Sequence, residues 1–326
     1  MTITAWAITT GAAGMRAQAR GLAERCADRV IDRTIDLKPP WRWLPAHLAP
    51  FALSGLAAGS DDISPPWPDL VVSCGRRSAI VCAAIRRASR GAVLAVHVQD
   101  PLADPAAFDL VIALPRDSVR GRNVVQVPAA LNAVTPERLS EAAEVWRGRF
   151  SALGRPLVGV VLGGSTRERR FDPAAADRLV EGLSRLRAGA GAGLAITPSR
   201  RTPVEVLQRV EFAFANDPRV FVWNRVGENP YLAILALADR LVVTSDSLSM
   251  ISEALATSAP LEVFDLGLTG GRHAGFLQDL VEAGLARRFA GEAAPPQAHA
   301  PVDPTGVAAA AVQALLQARG LTRDQS

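Results

Sequence analysis

Short runs of valine, isoleucine and leucine alternate along the chain with longer, alanine-rich stretches in which apolar residues return at helical spacing. The short runs predict strands at Ile3–Thr9, Leu70–Ser73, Ala92–Val98, Leu110–Ala113 and Val124–Val127. They resume at Leu157–Leu162, Gly193–Thr197, Val220–Val222, Arg240–Val243 and Leu261–Val263. The periodic stretches predict helices at Met15–Cys26, Ser78–Ala88, Pro136–Phe150, Pro173–Arg187, Pro203–Ala215, Pro230–Ala238 and Ser249–Ala256. Almost wholly apolar strands separated by helices imply parallel sheets covered on both faces. Four helices are expected to open with a proline after a capping residue: Thr135-Pro136, Asp172-Pro173, Thr202-Pro203 and Asn229-Pro230. Proline suits that place because it has no N–H to leave unsatisfied.

The strand–helix series runs twice, with a Gly- and Pro-bearing connector at Ser151–Pro156 between the two runs. The expected fold class is α/β: two Rossmann-like doubly wound domains facing across a ligand cleft. The expected domains are residues 1–152 and 153–300. A proline-rich linker then leads to a C-terminal helix at Pro301–Arg319 within a tail of 301–326. Open sheets of this kind bind ligands beyond the carboxyl ends of their strands.

Composition narrows the function classes. The 326 residues are 49% hydrophobic and 21% charged, enough for two cores and unlike a disordered chain. The net charge of +4 is spread without a basic block, and Lys38 is the only lysine, so a nucleic-acid partner is not expected. Arginine, which carries nearly all the positive charge, suits phosphate and carboxylate oxygens. Three cysteines (Cys26, Cys74 and Cys82) form no disulfide framework, and four scattered histidines form no metal-ligand pattern. The N-terminus lacks a basic leader and reads as a strand, and the longest charge-free apolar stretch, residues 48–59, is too short to cross a bilayer. The expectation is a cytoplasmic protein, with peripheral attachment at the inner face of the membrane as the further option.

Candidate chemistry gathers at strand ends. Gly11 and Gly14 follow the first strand and suit either an anion or a plain tight turn. Gly163-Gly164-Ser165-Thr166-Arg167 follows the Leu157 strand, with Arg169 and Arg170 beyond. It could hold a diphosphate through backbone donors and guanidinium forks, although the Gly-Lys-Ser/Thr ending of a P-loop is missing. Ser199-Arg200-Arg201-Thr202 ends the next strand and suits the same ligand, with Thr202 also a candidate helix cap. The densest cluster is Thr244-Ser245-Asp246-Ser247-Leu248-Ser249-Met250, followed in the helix by Glu253. Its serines suit phosphate, and Glu253, four residues after Ser249, suits ribose hydroxyls. A capping box does not fit, because no Glu or Gln stands three residues after Ser247 or Ser249. Asn229 reads as a helix cap beside the same pocket. In the first half, Asp100 and Asp117 are strand-end carboxylates that suit a general base or simply cap turns. The segment from Trp41 to Trp67 holds three of the six tryptophans among prolines. It reads as a lid, a membrane-surface patch, or a loop packed on its own domain.

The blocks Ser73-Cys-Gly-Arg-Arg77, Gln99-Asp-Pro101, Phe108-Asp-Leu110, Arg122-Asn-Val124, Leu162-Gly-Gly164, Ser199–Pro203, Glu228-Asn-Pro-Tyr231 and Val243–Ala254 together resemble the elongated-mitochondria fission family. The resemblance covers about residues 73 to 289. That family is similar to the GT-B glycosyltransferases, which implies a nucleotide-sugar in the C-terminal domain. The resemblance implies that Gly163, Gly164, Ser199, Arg200, Ser247, Ser249, Met250 and Glu253 surround the donor nucleotide. Plant members are known as outer-membrane adaptors for a dynamin-related protein, so a non-catalytic adaptor binding a protein or membrane surface is the alternative implied. Relatives tend to carry histidine where this chain has Arg116 before Asp117.

Together these readings predict a metal-independent GT-B-type glycosyltransferase acting on a membrane-linked or cell-envelope acceptor. No cofactor is expected beyond the nucleoside-diphosphate sugar as substrate. Asp100 or Asp117 would be the catalytic base. Gly163, Gly164, Ser165, Arg167, Ser199, Arg200, Arg201, Asn229, Ser245, Asp246, Ser247, Ser249, Met250 and Glu253 would form the nucleotide site. A nucleotide-sugar epimerase of the Tyr-x-x-x-Lys type is disfavoured, because Lys38 and Tyr231 stand far apart in sequence.

Overall fold

The computed structural model describes residues 2–166, 170–267 and 271–322. The chain divides into two compact units, Met1–Ala133 with Asp303–Ser326, and Val134–Val302. Each is built on a six-stranded parallel sheet.

The first unit holds strands β1 (Thr4–Thr9), β2 (Arg29–Thr34), β3 (Leu70–Cys74), β4 (Leu94–Val98), β5 (Leu110–Ala113) and β6 (Val124–Gln126), with helices α1 (Ala13–Cys26) and α2 (Arg76–Ala88). Its strand order is β2-β1-β3-β4-β5-β6. Ile8, Val71, Ala95 and Val111 meet Ile80 and Ile85 of α2 in one buried cluster. Between β2 and β3 the chain makes 3-10 turns at Trp41–Trp43, Ala46–Leu48 and Ala52–Gly55.

The second unit begins with α3 (Pro136–Ser151). It continues through β7 (Leu157–Leu162), α4 (Pro173–Ala190), β8 (Gly193–Pro198), α5 (Val204–Phe214), β9 (Val220–Val222), α6 (Tyr231–Leu237), β10 (Arg240–Thr244), α7 (Leu248–Ala254), β11 (Leu261–Phe264), α8 (Gly271–Glu282) and β12 (Arg287–Arg288). The order is β12-β11-β10-β7-β8-β9. Val160, Ile196 and Val242 from neighbouring strands pack against Leu179 and Leu183 of α4 and Val206 of α5. Thr135 and Asp172 cap α3 and α4 by accepting the N–H groups of Arg138 and Ala175. The closing helix α9 (Pro304–Ala318) returns to the first unit and packs along α1, where the Thr305 hydroxyl donates to the Asn132 carbonyl at 2.8 Å.

Two differences from the sequence reading have physical causes. The strands β2 and β12 were not anticipated, and both are sheet edges. An edge strand is covered by fewer neighbours and tolerates polar side chains, so Arg-Val-Ile-Asp-Arg-Thr and Arg-Arg carry no apolar run to detect. The break between units also falls before α3, not after it, and α9 joins the first unit instead of standing alone. Trp146 and Phe150 of α3 pack against Phe221 of β9, with ring centroids 5.7 Å apart in each pair. That aromatic cluster commits α3 to the second unit.

Candidate functional site

Because β7, β8 and β10 are adjacent and parallel, their carboxyl ends open on one rim. There the loops after the three strands are fastened to one another. The Gly163 N–H donates to Thr244 Oγ1 at 2.7 Å, and the Gly164 N–H donates to Asp246 Oδ2 at 2.8 Å. The Thr244 hydroxyl donates to Asp246 Oδ1 at 2.7 Å. From the β8 end, Thr202 Oγ1 accepts the Ser199 N–H at 2.9 Å and donates to the Gly163 carbonyl at 2.5 Å.

These glycines serve close approach. A β-carbon on Gly163 would stand 2.0 Å from Asp246 Oδ1, and one on Gly164 would stand 2.1 Å from the Arg201 carbonyl oxygen. The two N–H groups that the sequence offers to a phosphate are therefore engaged by side chains of the β10 loop. Asp246 lies beneath the loop, only 3% exposed. Burial pushes its carboxyl above the usual range, against the pull of the Gly164 N–H, the Thr244 hydroxyl and the Arg201 guanidinium.

The remaining rim residues differ in how far they are committed. Ser165 Oγ accepts the Phe171 N–H at 3.0 Å, and Ser245 Oγ accepts the Leu266 N–H at 3.0 Å. Ser247 caps α7, its hydroxyl accepting the Met250 N–H at 3.4 Å. The lack of a capping box does not exclude this role, because a simple N-cap requires no Glu or Gln. Asn229 Oδ1 accepts the Tyr231 N–H at 3.0 Å. Arg200 and Arg201 are exposed, Arg201 reaching Asp246 Oδ2 at 3.3 Å. Ser249 and Met250 are half-buried on the first turn of α7. Arg167 and Arg169 lie outside the described residues.

Glu253 is bonded within the protein. The Tyr231 hydroxyl donates to its Oε2, and Oε1 makes no hydrogen bond among the described residues. Burial raises the Glu253 carboxyl above its usual range, opposed by the Tyr231 hydrogen bond and by the charge of Arg138. Burial, then the neighbouring carboxylate, raises the Tyr231 phenol well above its own.

In the first unit, Asp100 braces a turn. Its Oδ2 accepts from the Ser118 hydroxyl at 2.7 Å and from the N–H groups of Ser118 at 3.0 Å and Val119 at 3.2 Å, while Oδ1 accepts the Leu102 N–H at 2.8 Å. Partial burial pushes Asp100 upward, but these hydrogen bonds outweigh it and hold the carboxyl below the usual range. Asp117 is 8% exposed, and its Oδ2 accepts the Leu114 N–H at 2.9 Å. Of the Trp41–Trp67 segment, Trp41 and Trp67 pack against the first core, whereas Trp43 is 65% exposed. Among the described residues no cluster of His, Cys, Asp and Glu could hold a metal ion, and no helix is long and apolar enough to cross a membrane.

Residues 13–316 match the family model described as Mitochondrial fission ELM1. The chain belongs to the Mitochondrial fission ELM1 family. A plant member, the Mitochondrial fission protein ELM1 of Arabidopsis thaliana, is 30% identical over 78% of this chain and 65% of its own length, so the chain spans less than two-thirds of that relative. The fold is that of solved nucleotide-sugar enzymes of GT-B type. The UDP-GlcNAc 2-epimerase of Methanocaldococcus jannaschii aligns with a TM-score of 0.55 at 11% identity, covering 96% of this chain and 99% of that one. The S. aureus MnaA structure with UDP aligns at 0.51 and 12% identity, covering 96% and 88%.

Within this ELM1-family chain, the Leu162–Gly164, Ser199–Pro203 and Val243–Ala254 blocks occupy the one rim just described. Arg225 escaped the sequence reading. Its guanidinium donates to the carbonyls of Ser199 at 2.9 Å and Thr202 at 2.5 Å from a backbone at φ +69°. No motif announces that brace, because it is defined by a loop distant in sequence. The tie of Tyr231 to Glu253 across 22 residues likewise appears only in three dimensions.

Proposed function

We propose that this protein binds a nucleoside-diphosphate sugar at the carboxyl rim of its second sheet and transfers the sugar to a hydroxyl of a membrane-linked or cell-envelope acceptor. The observation that carries the reading is the division of labour on that rim. Gly163, Gly164, Thr202, Thr244 and Asp246 fix the loops to one another. The exposed Arg200 and the Oε1 of Glu253, which makes no hydrogen bond among the described residues, remain for a ligand, and Arg201 is exposed beside its contact with Asp246. Guanidinium groups suit the charge that develops on a departing diphosphate, and a carboxylate suits ribose hydroxyls. The S. aureus MnaA structure, which contains UDP, supports the choice of donor class.

A thermal-shift and calorimetric panel of UDP-, GDP- and ADP-linked sugars tests binding, and release of the free nucleoside diphosphate tests transfer. Glu253→Ala that folds and binds the nucleotide as tightly as the parent would refute the site. Replacing Asp100 and Asp117 singly by Asn tests each as the base.

A second reading, a non-catalytic adaptor, is favoured by a different observation. Trp43, Leu48 and Phe51, 65%, 60% and 83% exposed, lie on the turns between β2 and β3, and Phe51 has a left-handed backbone at φ +48°. Large apolar side chains held out to solvent suit a protein or bilayer surface. Nucleotide binding without turnover, together with vesicle binding lost in Trp43→Ser/Phe51→Ser, would favour it.

A further inference from the structure

Glu253 is held from a neighbouring helix. Tyr231 opens α6, where its N–H is fixed by Asn229 Oδ1 at 3.0 Å. The phenol crosses to α7 and donates to Glu253 Oε2. The terminal torsion of a glutamate side chain is broad and roughly two-fold, so an untethered carboxylate does not aim either oxygen. A single donor on Oε2 removes that freedom, and Oε1 makes no hydrogen bond among the described residues. Tyr231 is the only tyrosine in the chain, although phenylalanine would fill the same packing space.

We propose that Tyr231 is a positioning residue of the nucleotide site: its phenol holds Glu253 by Oε2 so that Oε1 meets a ribose hydroxyl of the bound nucleotide. This rests on the nucleotide reading above and adds a specificity to it. A site that spends a half-buried carboxylate on a sugar hydroxyl discriminates against an analogue lacking that hydroxyl, because the acceptor is then left unpaired.

The tether also bears on protonation. Two groups favour the ionised carboxylate against its burial: the Tyr231 hydroxyl from α6 and the Arg138 charge from α3. Removing the phenol leaves burial opposed by Arg138 alone. The carboxyl is then protonated at a higher pH, and a protonated carboxyl accepts a ribose hydroxyl less well. A residue that merely packs would weaken binding equally at every pH.

The test uses the full chain. Calorimetry from pH 5 to 9 compares the parent with Tyr231→Phe, using whichever of UDP, GDP and ADP binds most tightly and its 2′-deoxy and 3′-deoxy forms. Tyrosine labelled with carbon-13 at Cζ gives a single resonance, which reports the phenol directly. Three results are expected. The nucleotide shifts that resonance in the parent. Tyr231→Phe binds the ribonucleotide about tenfold more weakly at pH 7, as for loss of one charge-assisted hydrogen bond, and loses most of its preference over a deoxy form. The acid limb of its binding curve moves to higher pH. A resonance unmoved by bound nucleotide overturns the proposal while leaving the nucleotide site standing, and that arm holds even if the variant fails to fold. A variant with unchanged affinity, or one weakened uniformly across pH with its preference intact, has the same consequence. A parent that binds none of the three diphosphates overturns both readings.

Discussion

Gly163 and Asp246 are packed so closely that a β-carbon on the glycine would stand 2.0 Å from one carboxylate oxygen and 2.3 Å from the other. Two strand-end loops thus share one volume, with the β7 loop able to lie over the β10 loop only because it lacks a side chain. A Gly163→Ala variant must push Asp246 aside and lengthen the Gly164 N–H bond. We expect a loss of about 1–3 kcal/mol, typical of overpacking a dense site, read from urea unfolding. An alanine variant as stable as the parent would show that the two loops separate freely.

The second sheet carries a buried ion pair that should prove sensitive to single substitution. Glu262 on β11 is 0% exposed; its Oε2 accepts from Arg240 Nε at 2.6 Å and its Oε1 from Arg287 Nη2 at 2.8 Å. Arg240 also donates to the carbonyls of Glu292 at 3.0 Å and Ala293 at 3.1 Å, tying the segment after β12 to the sheet. Glu262→Gln removes the charge while keeping the shape, leaving a buried guanidinium unneutralised. The expected cost is roughly 3–5 kcal/mol, and protease cleavage within residues 289–302 should accelerate.

His97 gives the first unit a defined pH response. It lies fully buried on β4, its Nδ1 hydrogen-bonded with Ser73 Oγ at 2.8 Å, its ring stacked on Phe108 and its Nε2 unpartnered. Burial lowers its pKa from 6.5 to about 3. The folded state therefore binds the proton less readily than the unfolded chain. The stability this confers is fully present above pH 6.5 and declines as pH falls from there towards 3, by up to about 1.4 kcal/mol per pH unit. Unfolding midpoints measured from pH 7 to 4 should fall more steeply for the parent than for His97→Phe. Parallel curves would show that the buried imidazole is not responsible.

Asp100 is expected to act first on structure. Asp100→Asn substitutes an amide at a position accepting three N–H groups and one hydroxyl. The turn at Ser118 and Val119 should loosen, with a loss of about 1–3 kcal/mol and faster amide exchange at those two residues. Any fall in the proposed sugar transfer has to be judged against that loosening, because a carboxyl held below its usual range is also a weaker base.

Local pattern determined much of this molecule. The apolar runs at Val158–Leu162, Leu194–Ile196 and Leu241–Val243 could only be covered strands, and the caps at Thr135 and Asp172 follow from residue type at a helix start. Because the strands are parallel, the sequence also placed the Gly163, Ser199 and Ser245 loops on one rim. Tertiary structure decided what each group there does. Asp246 reads as exposed chemistry but is buried beneath Gly164, and Glu253 answers to Tyr231 on another helix. The edges β2 and β12 likewise acquire their state from a neighbouring strand. Periodicity records which face of an element is buried, whereas a hydrogen bond between side chains far apart in sequence exists only once both elements are docked.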